Sequence, residues 1–168
     1  AEEVREHAKK LIGKVLVTKQ TGPDGKPCDY LMIEATTPLD KEFYVSVVLD
    51  RQVHKPCLIV SEAGGINIEE VAEKNPELIH TRHFSLDTGL LEEEAEKLAA
   101  EFVKDKSQAA VFAKTFHAMA EIFLETDAQL IEINPLSIKK NGEVVAIDAK
   151  IVIDDNALYR HPEIADLR

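Results

Sequence analysis

The sequence predicts a mixed α+β fold in which strands and helices follow one another in separate runs. Short segments rich in Val, Ile and aromatic residues are joined by loops that contain Gly and Pro, which is typical of hairpins. Two amphipathic helical patterns then follow each other without a strand between them. This order is not the regular βαβ alternation of a doubly wound sheet. With 45% apolar residues in 168, the chain can bury a core of its own.

The N-terminal part of the sequence predicts one helix and one hairpin. Residues 2–12 carry apolar side chains at helical spacing, and Gly13 provides a stop: they are Val4, Ala8, Leu11 and Ile12. The segments 14–20 and 28–35 flank "TGPDGKP", so we expect them to be paired strands.

A second pair of strands is predicted at 42–50 and 57–61, joined through "RQVHKP". The segment "EAGGIN" then leads into a short helix at about 67–74, and "LIHTRHFSL" can form an edge strand. Two helices are predicted at about 92–103 and 107–125. The second should bury six side chains: Val111, Phe112, Phe116, Met119, Ala120 and Phe123.

The last hairpin, residues 130–151, sets polar residues among isoleucines. A loop of Lys140, Asn141 and Gly142 pairs Lys139 with Glu143, whereas a two-residue Asn-Gly loop would shift the register. Only the three-residue loop places the apolar side chains of both strands together: Ile131, Ile133, Val145, Ile147 and Ile151. In that register Asn134 lies opposite Asp148, and Lys150 lies opposite Glu132.

Glu132 and Asn134 share one face of their strand, because side chains alternate. Together with Asp148 they would offer oxygen ligands of the kind that Mg²⁺ prefers. The pattern alone leaves another interpretation open. With 31 acidic residues, most carboxylates here must be solvated surface, and an Asn-Gly turn needs no function.

Other polar residues have structural alternatives. Arg51 could meet a phosphate or form a surface ion pair with Asp50. Gly64 and Gly65 could form an anion-binding nest, but we favour a tight strand-to-helix turn because the full phosphate-loop pattern is missing. His80 and His83 should point to opposite faces of an extended segment, so they are not expected to share a metal.

The overall charge narrows the class of protein. A formal net charge of -11 argues against non-specific binding to nucleic acid or to an anionic membrane. No apolar run approaches the roughly 20 residues of a membrane span, and "AEEVREHAKKL" has no apolar region of a secretory signal. Cys28 and Cys57 form no CxxC motif. We therefore expect a protein of the cytosol or of an organelle matrix.

Three motifs in order resemble the β subunits of succinate–CoA ligase, also called succinyl-CoA synthetase: "MIEATTPLDKEFYVSVVLDR", "SEAGGINIEEVAEKNPELIH" and "IEINPL…VVAIDAK". The resemblance implies an ATP-grasp fold, in which two α+β subdomains hold a nucleotide between them. It divides the chain into the end of the smaller subdomain (1–34), the larger C-terminal subdomain (35–156) and the start of a linker (157–168).

The resemblance also implies roles for individual residues. Asn134 and Asp148 match magnesium ligands, and Glu132 matches a glutamate that contacts the phosphohistidine loop of the partner α subunit. The remaining matches concern the nucleotide: Glu34, Ala35 and Thr37 correspond to the hinge that lines the adenine, and Glu42 to a ribose contact.

The reaction implied by the resemblance converts succinate, CoA and ATP or GTP into succinyl-CoA, ADP or GDP, and phosphate. The family's phosphate-binding lysine and its CoA-ligase domain are expected outside these 168 residues, so we expect this chain alone to be inactive. The β subunit of malate–CoA ligase is a second interpretation, and a non-catalytic binding or assembly module that retains the fold is a third.

Overall fold

The computed structural model describes residues 2–18 and 21–167 and divides the chain into two compact units, Ala1–Thr37 and Pro38–Arg168. None of the helices in these described ranges is long and apolar enough to cross a membrane. The roles that we predicted for 1–34, 35–156 and 157–168 stay predictions.

The first unit contains helix α1 (Glu2–Leu11) and two short antiparallel strands, β1 (Val15–Leu16) and β2 (Lys26–Pro27). The predicted helix is confirmed. Of the predicted strand at 14–20, the described residues form only β1, and the predicted strand at 28–35 is wrong, because β2 lies within the segment that we expected to be the loop. Residues 28–38 form no regular structure, and residues 19 and 20 lie outside the described residues. Met32 is 84% exposed and Val15 is 60% exposed, and an isolated two-stranded hairpin without a buried face is marginal.

The second unit is a six-stranded antiparallel sheet with helices packed against it. Its strands are β3 (Leu39–Asp50), β4 (Lys55–Ser61), β5 (Ile79–His83), β6 (Ala128–Lys139), β7 (Val144–Ala146) and β8 (Ala149–Ile153). The strand order is β5-β4-β3-β6-β7. Strand β8 also pairs with β6, along a different part of β6 from the part that pairs with β7. The predicted strand pairs and the edge strand are thus confirmed.

The helices of this unit are α2 (Ile68–Lys74), α3 (Glu92–Phe102), α4 (Lys106–Glu125) and α5 (Pro162–Ala165), with 3-10 turns at Pro76–Leu78 and Asp155–Arg160. Asp105 caps α4 by accepting hydrogen bonds from the N–H groups of Ser107 and Gln108. Five of the six side chains that we predicted to be buried on α4 are in the core. Val111 is the error: it is 43% exposed, because it lies at the edge of the apolar stripe.

The core lies between α3, α4 and one face of the sheet. On β3 the alternate residues Phe43, Val45 and Val47 point into it, and the Phe43 ring meets the Phe112 ring edge-on at 5.0 Å. Tyr44 and Ser46 consequently face away from these helices, because successive side chains of a strand alternate.

The register of the last hairpin is the one that the three-residue loop predicts. Lys139 donates its N–H to Glu143 O at 2.8 Å, and β6 pairs Leu136 with Ala146 and Glu132 with Lys150. The apolar face that we predicted for this hairpin is wrong for three of its five residues, Val145, Ile147 and Ile151. A register shift between β3 and β6 at Phe43/Val45 changes the inward residues of β6.

The core residues of β6 are therefore Ala128, Ile131 and Ile133 before the shift, and Leu136 and Ile138 after it. Val144, opposite Ile138, packs on the core in place of Val145. Ile147 and Ile151 are 39% and 51% exposed, because α4 packs over β3, β6 and β7 and leaves this edge open.

The C-terminal segment is tied to the turn before β6 by one carboxylate. Asp127 Oδ2 accepts hydrogen bonds from Arg160 Nε at 2.6 Å and from His161 Nε2 at 2.7 Å. The bond from Arg160, followed by the bond from His161, holds the pKa of the Asp127 carboxyl well below its usual range. The sequence analysis did not find this cluster, because its members are 33 and 34 residues apart.

Candidate functional site

Glu132 and Asn134, two of the residues predicted for function, lie with two unpredicted polar residues on the sheet face opposite α3 and α4. Tyr44 and Ser46 come from β3, and Glu132 and Asn134 come from the neighbouring β6. Ser46 pairs directly with Glu132, which pairs on its other side with Lys150 of β8. Glu132 is therefore placed at the middle of the sheet, where neighbours on both sides fix its backbone.

The Glu132 carboxylate is half-buried and accepts a hydrogen bond from the Tyr44 hydroxyl, at 3.0 Å between Oη and Oε2. Burial of the phenol raises the pKa of Tyr44 to about 12; the Ser46 hydroxyl opposes this, and the charge of Glu132 adds to it. The Ser46 hydroxyl favours the phenolate, but its Oγ makes no hydrogen bond within the part of the chain that the structure describes. Tyr44 is therefore a neutral donor to Glu132, and sequence analysis did not find it.

The Asn134 side chain holds the loop that follows β4. Its Oδ1 accepts from the Gly65 N–H at 2.7 Å, and its Nδ2 donates to Ile66 O at 3.2 Å. One lone pair of Oδ1 remains for another partner, since an amide oxygen has two. Asn134 thus joins β6 to the residues that lead into α2.

Asp148 lies directly opposite Asn134, as predicted, and its backbone oxygen accepts the Asn134 N–H at 3.1 Å. Its side chain is exposed, and in the described part of the chain its carboxylate makes no hydrogen bond or ion pair. No group of three or more His, Cys, Asp and Glu converges as a metal site within residues 2–18 and 21–167. An amide oxygen and a free carboxylate nevertheless fit Mg²⁺, which keeps waters and phosphates as its other ligands.

Glu42 is brought against the same loop. Its backbone oxygen accepts the Gly64 N–H at 3.1 Å, and a Cβ added to Gly65 would lie 2.6 Å from Glu42 Oε2. A Cβ on Gly64 would lie 2.5 Å from the Phe43 nitrogen, so only glycine allows this approach to β3. The close approach accounts for Gly64 as a tight turn, the interpretation that we favoured.

The predicted adenine residues belong to the first unit. Glu34 and Ala35 are exposed, Thr37 is half-buried, and all three lie in irregular chain. Glu42 belongs to the second unit, so the assignment of a common nucleotide site to these four residues stays a prediction.

The other candidates have ordinary structural partners. Asp50 Oδ2 accepts from His83 Nε2 at 2.8 Å, and this bond, first among its causes, lowers the pKa of Asp50. The His80 ring packs edge-on against Phe102 at 4.8 Å. His80 and His83 therefore have separate partners, and Asp50 pairs with His83 while Arg51 stays exposed.

Comparison with known proteins identifies the family to which this chain belongs. A family model described as an ATP-grasp domain matches residues 1–138. The β subunits of ADP-forming succinate–CoA ligase from Burkholderia lata and Burkholderia ambifaria are each 46% identical over 167 residues, which is 99% of this chain. The chain spans 43% of the length of these curated relatives.

Solved structures are similar in fold. ATP citrate lyase from Methanothrix soehngenii matches with a TM-score of 0.55 and 18% identity, over 94% of this chain and 34% of that one. A variant of ATP citrate lyase from Methanosaeta concilii matches with a TM-score of 0.63 and 20% identity, over 96% and 35%. At these identities the likeness shows the fold alone. The predicted ATP-grasp fold and the predicted likeness to succinate–CoA ligase β subunits are both confirmed, and the chain belongs to the ATP-grasp domain family.

Proposed function

We propose that this chain is the nucleotide- and magnesium-binding part of a succinate–CoA ligase β subunit. The observation that carries the proposal is the polar face of the sheet, where Glu132 and Asn134 on β6 meet Tyr44 on β3 and Asp148 across the hairpin. The 46% identity to β subunits named for this activity supports it. The name of those relatives, ADP-forming, favours ATP over GTP as the substrate.

The complete enzyme would form succinyl-CoA from succinate, CoA and ATP, with release of ADP and phosphate. A histidine of the partner α subunit would carry the phosphoryl group between two sites: the bond from the γ-phosphorus to the bridging oxygen breaks, and a phosphorus–nitrogen bond forms. CoA would bind elsewhere in the complete enzyme. We place it in the cytoplasm if bacterial or archaeal, or in the mitochondrial matrix if eukaryotic.

Asn134 and Asp148 would hold Mg²⁺ through Oδ1 and the exposed carboxylate. When bound, the ion neutralises phosphate charge during transfer. The loop that Asn134 anchors would then have a fixed position beside the metal, and Glu42 lies against that same loop. We propose that Glu42 accepts from the ribose hydroxyls and that Glu34, Ala35 and Thr37 line the adenine.

Glu132 would act on the partner's imidazole. A carboxylate beside a histidine orients the ring and favours its cationic form. Its position at the centre of a six-stranded sheet suits this role, because positioning and electrostatics supply most of the catalysis in phosphoryl transfer.

The proposal is tested with the complete β subunit assembled with its α subunit. Formation of the acyl-CoA thioester is followed with succinate and with malate, at saturating ATP, CoA and Mg²⁺. We expect succinate to be used with the higher kcat/KM, together with ATP-dependent phosphorylation of the α-subunit histidine. A clear preference for malate would overturn the substrate, and the absence of histidine phosphorylation would overturn the proposed function.

A further inference from the structure

We infer that Tyr44 is a positioning residue for the Glu132 carboxylate, an inference that rests on the proposed role of Glu132. The phenol comes from β3 and the carboxylate from the adjacent β6, and the hydroxyl donates to Glu132 Oε2 at 3.0 Å. Tyr44 is only 4% exposed, so its ring is held by packing and the hydroxyl has little freedom to turn elsewhere.

The hydrogen bond from Tyr44 engages only one of the two carboxylate oxygens of Glu132. Oε2 is occupied by Tyr44, and Glu132 accepts no other hydrogen bond in the described part of the chain. Oε1 is therefore left for an external donor, such as the N–H of an imidazole. A carboxylate held at one oxygen loses much of its rotational freedom, so the other oxygen is already oriented when the donor arrives.

Other neighbours of Glu132 do not offer the same restraint. Lys150 lies opposite it on β8, but within residues 2–18 and 21–167 its ammonium makes no ion pair with Glu132. Ser46 lies opposite on β3, and its hydroxyl meets no partner at hydrogen-bond geometry. The phenol is thus the group that fixes the carboxylate.

A purely structural role for Tyr44 makes a different prediction. If the hydroxyl bonded to Glu132 only to satisfy a buried polar group, its removal would lower stability and leave the chemistry unchanged. Tyr44→Phe separates the two roles, because it keeps the ring and its packing and removes only the donor.

The experiment uses the complete β subunit assembled with its α subunit and measures single-turnover phosphorylation of the α-subunit histidine. It compares the unmodified complex with Tyr44→Phe, Glu132→Gln and the double variant. Tyr159→Phe is the matched control, since the Tyr159 side chain is exposed and its hydroxyl accepts a hydrogen bond from Arg160 at 2.8 Å. The nucleotide KM and the melting temperature are measured on the same preparations.

We expect Tyr44→Phe to slow phosphorylation by about 10-fold, the scale of a lost hydrogen bond to a charged group, with an unchanged nucleotide KM. In the Glu132→Gln background, Tyr44→Phe should add less than about 2-fold, because residues that act as a unit are not additive. Tyr159→Phe should phosphorylate at the unmodified rate.

Two results would overturn the inference alone. Tyr44→Phe could phosphorylate normally while Glu132→Gln is slow, or the two substitutions could slow the reaction by independent factors that multiply. A normal rate for Glu132→Gln would instead contradict the proposed role of Glu132, and the inference with it.

Discussion

Asn134 and Asp148 face each other across the last hairpin, joined by a hydrogen bond of 3.1 Å from the Asn134 N–H to the Asp148 carbonyl oxygen. Their side chains differ in what surrounds them. Asn134 is bonded through both ends of its amide to Gly65 and Ile66, whereas the Asp148 carboxylate is exposed. As the proposed ligands of Mg²⁺, they would combine one rigid side chain with one adaptable side chain.

Asp148→Asn should weaken the use of Mg²⁺ without harming the fold, because the side chain is exposed and Asn has nearly the same size. In the complete enzyme we expect histidine phosphorylation at limiting Mg²⁺ to fall by at least about 10-fold, with partial recovery at high Mg²⁺. The control is Asp87→Asn, which removes an exposed carboxylate in the turn before α3. Equal Mg²⁺ dependence of both variants would exclude Asp148 as a ligand.

Glu132→Gln keeps the shape of the side chain and an oxygen that can accept from Tyr44, but it removes the charge. Phosphorylation of the partner histidine should slow by about 10²–10⁴-fold, the usual scale of acid–base assistance, while the nucleotide KM stays the same. Glu69→Gln is a suitable control, since Glu69 carries a charge near Tyr44 without bonding to Glu132. A normal phosphorylation rate would remove Glu132 from the mechanism.

Ile131 and Ile151 are direct partners on β6 and β8, yet they are 3% and 51% exposed. Ile131→Ala should lower the free energy of unfolding by about 2–5 kcal/mol, because it leaves a cavity in the core. Ile151→Ala should change it by only about 0.5 kcal/mol, as surface substitutions do. Urea unfolding of the 168-residue chain measures both, and equal losses would show that the edge of the sheet is covered in solution.

Asp127→Asn should loosen the C-terminal segment, because the amide accepts more weakly from Arg160 and His161 than the carboxylate does. We expect the melting temperature at pH 7 to fall by roughly 2–4 °C. Asp87→Asn removes an exposed carboxylate that forms no ion pair among the described residues, so it should leave the melting temperature unchanged.

The difference in melting temperature between the unmodified chain and Asp127→Asn should become smaller in acid. The folded state lowers the pKa of Asp127 relative to the unfolded chain, so the carboxylate contributes stability above the unfolded pKa of about 3.9. This contribution declines as the pH falls from there towards the lower folded pKa. The melting temperatures of the unmodified chain and of Asp127→Asn should therefore converge below about pH 4. A difference between them that grows in acid would contradict the lowered pKa of Asp127.

Much of the sheet was predictable because its signals are local. The alternation of Ile with polar residues and the three-residue loop at 140–142 together predict the register that pairs Asn134 with Asp148. The same alternation correctly places Glu132 away from the core. These features depend on residues close to one another in the chain, where strand geometry allows few alternatives.

The wrong or missing predictions concern features that depend on contacts between distant parts of the chain. The register shift between β3 and β6 exchanges Val145 for Val144 on the core face, and nothing near Val145 in the sequence signals it. The hydrogen bond from Tyr44 to Glu132 and the bonds from Asn134 to the 65–66 loop likewise join separate segments. In the first unit, the Gly and Pro residues of "TGPDGKP" predicted a loop between two strands, whereas β2 lies within that segment.

The pairing of β3 with β6 has a consequence for how the site forms during folding. Tyr44 and Glu132 are 88 residues apart in the chain, and α3 and α4 lie between them. Helical hairpins form from near neighbours, whereas closing so long a loop costs chain entropy before any contact offsets it. We expect α3 and α4 to assemble first and the β3–β6 ladder to close late. A partly folded chain would then be largely helical and would still lack the hydrogen bond from Tyr44 that orients the Glu132 carboxylate.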